Sequence, residues 1–83
     1  MIWYVYMVRC SDNSLYTGYT NDIKRRENAH NTGKGAKYTK SRRPVRLVYW
    51  EEFADRSDAL KRECAIKKLT KQQKELLLQK EPV

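Results

Sequence analysis

Leu15-Tyr16-Thr17-Gly18-Tyr19-Thr20-Asn21-Asp22-Ile23-Lys24-Arg25-Arg26-Glu27-Asn28-Ala29-His30 passes from a β-prone hexapeptide, through a run of capping residues, into a basic helix. Thr20 or Asn21 can offer a side-chain oxygen to the orphan amides of the first helical turn, and Asp22 places a negative charge where the helix dipole favours one. With about 100° between successive residues, Ile23, Arg26 and His30 fall on one face of this helix. Its only large apolar residue thus shares the inward side with a guanidinium and an imidazole, a choice that packing alone does not make. On the preceding strand, alternation puts Tyr16, Gly18 and Thr20 on a common face. If Ile23 points at the sheet, a phenol, a bare backbone position, a fixed cation and a titratable ring line one shallow pocket.

Outward from this stretch the chain reads simply. Ile2-Trp3-Tyr4-Val5-Tyr6-Met7-Val8 is aromatic and β-branched on both alternating faces, which suits a strand covered on both sides. Ser11-Asp12-Asn13-Ser14 has hairpin length and turn chemistry, so this strand and Leu15 to Thr20 pair antiparallel, with Tyr6 near Tyr16 across the pair. Pro44 leads into a third strand, Val45 to Phe53. Asp55 with Asp58 resembles a capping box that opens a helix from Arg56 to about Leu69. Thr70 with Gln73 is a second box, after which a final helix carries Leu76, Leu77 and Leu78. The fold class expected is α+β: a three-stranded antiparallel sheet flanked by helices, in the order β-β-α-β-α-α.

Eighty-three residues make one domain, 1–83, with a single modest core. Nine aromatic residues, among them Trp3, Trp50 and Phe53, are expected to supply much of the buried area. The single histidine excludes the His/Cys clusters that zinc requires, and Cys10 and Cys64 form no Cys-x-x-Cys pair. The apolar run at the N-terminus lacks a basic leader and a cleavage site and is too short to span a bilayer, so the cytoplasm is the expected compartment, with no membrane association.

Net charge is +8, and the excess is concentrated: between Ile23 and Arg46 nine Lys or Arg residues face one acid, Glu27. That asymmetry favours a polyanion, and nucleic acid is the commonest. The segment Asn31 to Pro44 reads as a loop, with at most one helical turn near Ala36 to Lys40. Gly33 and Gly35 permit close backbone approach, Lys34, Lys37, Lys40, Arg42 and Arg43 can meet phosphates, and Tyr38 can stack on a base.

The helix after Asp55 carries a second anomaly. Glu63 falls inside its apolar arc, between Ile66 and Leu60 on the wheel, and a carboxylate there is costly without a cation, a metal or good hydrogen bonds. Spacing does not decide between a functional carboxylate and an i,i+4 pair with Lys67.

Tyr4-Val5-Tyr6, Tyr16-Thr17-Gly18, Arg26 eight residues beyond the glycine, His30 four residues later and a distal helix bearing Glu63 together resemble the GIY-YIG nuclease superfamily. Within it, Leu15 to Thr20, Arg25-Arg26 and His30-Asn31 look most like the small stand-alone bacterial members, similar to the catalytic domain of structure-specific endonucleases. The resemblance implies metal-dependent hydrolysis of DNA phosphodiester bonds, in branched or damaged DNA. By that analogy Glu63 holds one Mg²⁺ or Mn²⁺, Arg26 grips the scissile phosphate, Tyr6 and Tyr16 flank the attacking water with one of them as general base, and His30 relays a proton or hydrogen-bonds a tyrosine or phosphate. The chain departs from the pattern in carrying Tyr4 where the name-giving glycine stands, Tyr19 where some members place a lysine, and no asparagine beyond Glu63. Family nucleases join this module to a separate targeting domain, for which there is no room here, so a protein partner that supplies DNA targeting is expected. The alternative to an enzyme is a nucleic-acid-binding module, non-catalytic or partner-dependent, on the same scaffold. DNA is favoured over RNA as the partner.

Overall fold

Backbone pairing in the computed structural model, which describes residues 1–79, joins three strands into one antiparallel sheet: β1 (Trp3–Arg9), β2 (Leu15–Thr20) and β3 (Arg46–Phe53), in the order β2-β1-β3. The last four residues of the expected 1–83 domain lie outside the described residues. Between β2 and β3 come α1 (Ile23–Asn31) and a single turn, α2 (Lys37–Lys40); after β3 come α3 (Arg56–Lys67) and α4 (Lys71–Gln79). This is the expected α+β fold, with the helical turn suspected inside the basic loop realised as α2.

The β1–β2 hairpin closes through the anticipated turn. The Cys10 amide donates to Ser14 O, the Asn13 amide to Cys10 O, and the Asp12 carboxylate accepts from the Ser14 amide and hydroxyl. Asn13 takes the left-handed backbone at φ 69°, which asparagine tolerates better than most residues. The register places Tyr6 opposite Gly18 and Val8 opposite Tyr16. Tyr6 and Tyr16 are therefore diagonal neighbours, not a facing pair.

Alternation along β1 divides the core, as its doubly apolar sequence requires. Val5 and Met7 face Ala59 and Ile66 of α3, with Leu77 and Leu78 of α4 packed at the margin. Tyr6 and Val8 face the opposite way, toward α1, with Cys10, Val45, Tyr16 and Leu47. Trp50, expected in the core, is 48% exposed because β3 is an outer strand and its tryptophan lies at the rim. Leu76 is likewise half exposed.

The helix ends follow capping chemistry, with one correction. Asp22, not Thr20 or Asn21, caps α1: its carboxylate accepts the Arg25 amide at 3.1 Å, while the Thr20 hydroxyl accepts the Asp22 amide. Asp55 caps α3, which ends at Lys67, short of Leu69, because the Lys68 and Leu69 amides turn back in tight i−3 bonds. Thr70 and Gln73 exchange both bonds of a capping box, at 2.9 and 3.1 Å.

Two polar tethers fix α1 and α4 against the sheet. Glu27 accepts the Leu47 amide at 2.6 Å, and Asn31 bonds both the N–H and the C=O of Val45, so two residues one turn apart on α1 are anchored to β3 and to the residue that leads into it. Arg9 of β1 makes a bidentate pair with Glu75 of α4, which Lys71 also reaches. The first tether sets the rotation of α1 and hence where Arg26 and His30 point.

Candidate active site

Tyr6 is the centre of a hydrogen-bonded cluster beneath α1. Its hydroxyl lies 2.8 Å from His30 Nε2 and accepts Arg26 Nε–H at 3.3 Å. His30 is fully buried, and its Nδ1 lies 2.7 Å from the hydroxyl of Thr39, also fully buried. The rings of Tyr6 and Tyr16 both meet the imidazole edge-on, with centroids 5.9 and 5.3 Å away. Gly18 makes room for this arrangement: a Cβ there would stand 2.5 Å from the Tyr6 hydroxyl and 2.7 Å from its ring carbon Cζ.

Glu63 reaches the same region from α3. It is buried at 9% exposure, its carboxylate lies 3.4 Å from Lys67 Nζ, and that ammonium sits 5.9 Å from the centre of the Tyr16 ring. The i,i+4 pair of the sequence reading is thus formed, and the Glu63 charge still acts on the Tyr6 phenol. The structure brings Tyr6, Tyr16, Arg26 and His30 together beneath α1, while Glu63 stands on α3 across the sheet and reaches Tyr6 through its charge and Tyr16 through Lys67.

Burial and the Arg26 cation oppose each other at Tyr6, where burial prevails, and reinforce each other at His30. Burial pushes the Tyr6 phenol above its ordinary value, Arg26 pulls it down, and the charges of Tyr16 and Glu63 push it up again. Burial, and then the Arg26 cation, hold the His30 imidazole below its ordinary value, so it is neutral at pH 7. Beyond Lys67, Glu63 has no hydrogen-bond or ion-pair partner among the described residues. No group of three or more His, Cys, Asp or Glu residues gathers there to hold a metal. A lone carboxylate at a solvent-reachable edge fits a hard cation that keeps most of its waters, such as Mg²⁺ or Mn²⁺, and does not fit zinc.

Arg26 also opens onto solvent. It lines a cleft of about 310 Å³ with Trp3, Tyr19, Thr20 and Asn21, and a larger one of about 540 Å³ along α1 with Arg25 and Lys34. Of the basic-loop residues, Lys34, Lys37 and Lys40 make no side-chain hydrogen bond or ion pair among the described residues, whereas two arginines are turned toward the protein. Arg42 donates to Asp12 and to the Tyr38 carbonyl, and Arg43 to the Lys40 and Asn31 carbonyls. Tyr38 is likewise engaged, stacked on Tyr16 at 5.8 Å and covered by the Arg42 guanidinium at 3.9 Å. A base reaches that ring only by displacing one of them.

Sequence reasoning passed over Thr39 as a member of the cluster, whereas it named Lys67 as the partner of Glu63. Thr39 lies nine residues beyond His30 across two glycines, a separation without helical or strand periodicity to link them.

Residues 2–76 match the profile of the GIY-YIG catalytic domain. The chain belongs to the GIY-YIG family. It is similar to UPF0213 proteins: that of Staphylococcus haemolyticus is 61% identical over 71 residues, covering 86% of this chain and 87% of the relative. That of Haloquadratum walsbyi is 58% identical over 74 residues, covering 89% and 83%. Two solution NMR structures share the fold. The UPF0213 protein from Bacillus halodurans superposes with TM-score 0.62 and a protein from E. faecalis with 0.64; each is 46% identical and covers 95% of this chain and 84% of the other. GIY-YIG domains are the catalytic modules of a nuclease family, and the matched span contains Tyr6, Tyr16, Arg26, His30 and Glu63.

Proposed function

We propose that this chain is an endonuclease that hydrolyses DNA phosphodiester bonds with one divalent cation, Mg²⁺ or Mn²⁺, and that branched or damaged DNA is its substrate. The observation that carries the reading is the convergence of Arg26 and His30 on the Tyr6 hydroxyl. Family membership supports the class of reaction, and the basic surface from Arg25 to Lys40 supports a polyanionic substrate.

Tyr6 rather than Tyr16 is the general base in this reading, because its oxygen has two nitrogens trained on it and Tyr16 has no side-chain hydrogen bond among the described residues. As phenolate, Tyr6 takes a proton from water as the water oxygen bonds to phosphorus and the bond to the leaving strand oxygen breaks. A free phenol titrates at about pH 10, so positive charge has to be close by for this to happen near neutrality. Arg26 supplies one such charge and faces the clefts through which a phosphate arrives, where it orients the ester and stabilises the charge that develops on it. Glu63 is the residue that would hold the cation, in exchange for Lys67. A divalent ion held there would supply Lewis-acid stabilisation of charge developing on the phosphate. Lys34, Lys37 and Lys40 contact phosphates farther along the strand. A protein partner supplies targeting. Both cysteines are free thiols, Cys10 buried and Cys64 exposed, which supports a reducing cytoplasmic setting. No helix among the described residues is long and apolar enough to cross a membrane.

The test is incubation of purified protein with supercoiled plasmid, single strands, flaps and four-way junctions, with Mg²⁺, with Mn²⁺ and with chelator. Metal-dependent cutting that Glu63→Ala and Arg26→Ala abolish is the expected result. Wild-type cutting by Glu63→Ala rejects the site. Salt-sensitive binding with no cleavage of any substrate identifies a non-catalytic binding module.

A further inference from the structure

The deepest part of the cluster has a polarity that can be read from donors whose role is fixed. His30 is the only histidine, is fully buried and is neutral, so its ring presents one N–H and one lone pair. Its Nδ1 faces two groups. The Ala36 amide points at it from 3.4 Å, and the Thr39 hydroxyl lies 2.7 Å away. A backbone amide can only donate, so a proton on Nδ1 would set two N–H groups against each other. The Thr39 hydroxyl also lies 2.9 Å from Ala36 O, but that carbonyl already accepts the amides of Thr39 and Lys40, each at 3.2 Å. The hydroxyl hydrogen can turn to either acceptor; the Ala36 N–H, which can only donate, fixes the lone pair on Nδ1 and so turns the hydroxyl to the imidazole nitrogen 2.7 Å away.

We infer that Thr39, with the Ala36 amide, locks His30 in the tautomer protonated on Nε2, so that His30 donates to the Tyr6 oxygen and Thr39 acts as a positioning residue for the base. Two N–H groups, His30 Nε2–H and Arg26 Nε–H, then point at one phenolic oxygen, a cradle suited to a phenolate. The neutral phenol, with both approaches taken by donors, directs its own hydrogen outward to the substrate side. His30 in this state receives no proton from Tyr6. The loop geometry serves the same end: a Cβ at Gly35 would stand 2.8 Å from His30 Cα and Cγ, so only glycine lets residues 36–39 close over the ring. The assignment of the tautomer stands on these contacts alone; its meaning for catalysis rests on Tyr6 being the base.

With a single histidine, ¹⁵N labelling and long-range ¹H–¹⁵N correlation give one unambiguous imidazole pattern. At neutral pH the expected pattern is a pyridine-type Nδ1 and a protonated, pyrrole-type Nε2. Thr39→Val is expected to bring in the opposite tautomer and to slow cleavage about tenfold with DNA binding unchanged, and Thr39→Ser to restore both. A pyridine-type Nε2 in the wild-type protein overturns the inference. So does a wild-type pattern in Thr39→Val. Should the valine variant not fold, the wild-type spectrum still decides the tautomer. The expected pattern in a protein that cuts no DNA leaves the tautomer standing and removes the nuclease reading instead.

Discussion

Adding one methyl group at Gly18 strikes the cluster where it has least freedom. The new Cβ of Gly18→Ala would lie 2.5 Å from the Tyr6 hydroxyl oxygen, 2.7 Å from Cζ and 3.1 Å from Cε2. Comfortable carbon contacts begin at about 3.5 Å, so the ring has to retreat by roughly 0.8 Å. Tyr6 is 2% exposed and tied to His30 at 2.8 Å, so a shift of that size disturbs the bond. Overpacking costs about 1–3 kcal/mol and the disturbed hydrogen bond about 1 kcal/mol more. The expected destabilisation is about 2–4 kcal/mol, with Tm falling by roughly 4–8 °C for each kcal/mol. Cleavage should fall by about 100-fold, as for other misplacements of a reacting group on the ångström scale. Urea unfolding followed by circular dichroism gives the first number and plasmid nicking under Mg²⁺ the second. Gly18 has no positive φ, so backbone strain does not account for either effect. An alanine variant with the wild-type urea midpoint and cleavage rate would refute the placement of the Tyr6 ring over this glycine.

Three further outcomes follow from the charges. Arg9 holds the Glu75 carboxyl down to about 2, against an ordinary value of 4.5; a depressed acid stabilises above its unfolded value, so this contribution fades as pH falls from about 4.5 to about 2, and Glu75→Gln should be less stable at neutral pH and show a flatter acid-unfolding curve. His30 is depressed as well, so the unfolded chain binds the extra proton below about pH 6.5 and stability should decline as pH drops through that value, measurable as a urea midpoint that decreases from pH 7 to pH 5.5. Replacing Lys34, Lys37 and Lys40 with alanine should reduce the slope of log Kd against log salt by about 3 while leaving the folding midpoint unchanged, and an unaltered slope would place the DNA path elsewhere.

The local features of this fold were legible because each is a short-range choice. The Ser11–Ser14 turn, the Thr70–Gln73 box and the doubly apolar first strand rest on neighbours within a few residues, and all three appear as read. The α1 cap was missed by one or two positions because Thr20, Asn21 and Asp22 are all competent, and only the bond to the Arg25 amide distinguishes them. Register was not legible: alternation gives the face of each strand residue but not the offset that sets Tyr6 against Gly18 rather than Tyr16. Arg26 and His30 meet Tyr6, since Ile23, Arg26 and His30 share a helical face and the Glu27 and Asn31 tethers aim that face at the sheet. Thr39 was invisible because a glycine-containing loop, not a periodic element, carries it back to the histidine. Arg42 and Arg43 look like free cations in a run of basic residues, yet the carbonyls of Tyr38, Lys40 and Asn31 claim them through the folding of the loop itself.

Tyr6→Phe tests the central claim most directly, since it deletes a single oxygen. Single-turnover cleavage of a preferred DNA substrate under saturating Mg²⁺, with binding of the same DNA measured in parallel, should show binding retained and the cleavage rate down by at least about 100-fold. Cleavage at the wild-type rate by the phenylalanine variant would contradict the account, because the oxygen on which Arg26 and His30 converge would then have no part in the chemistry.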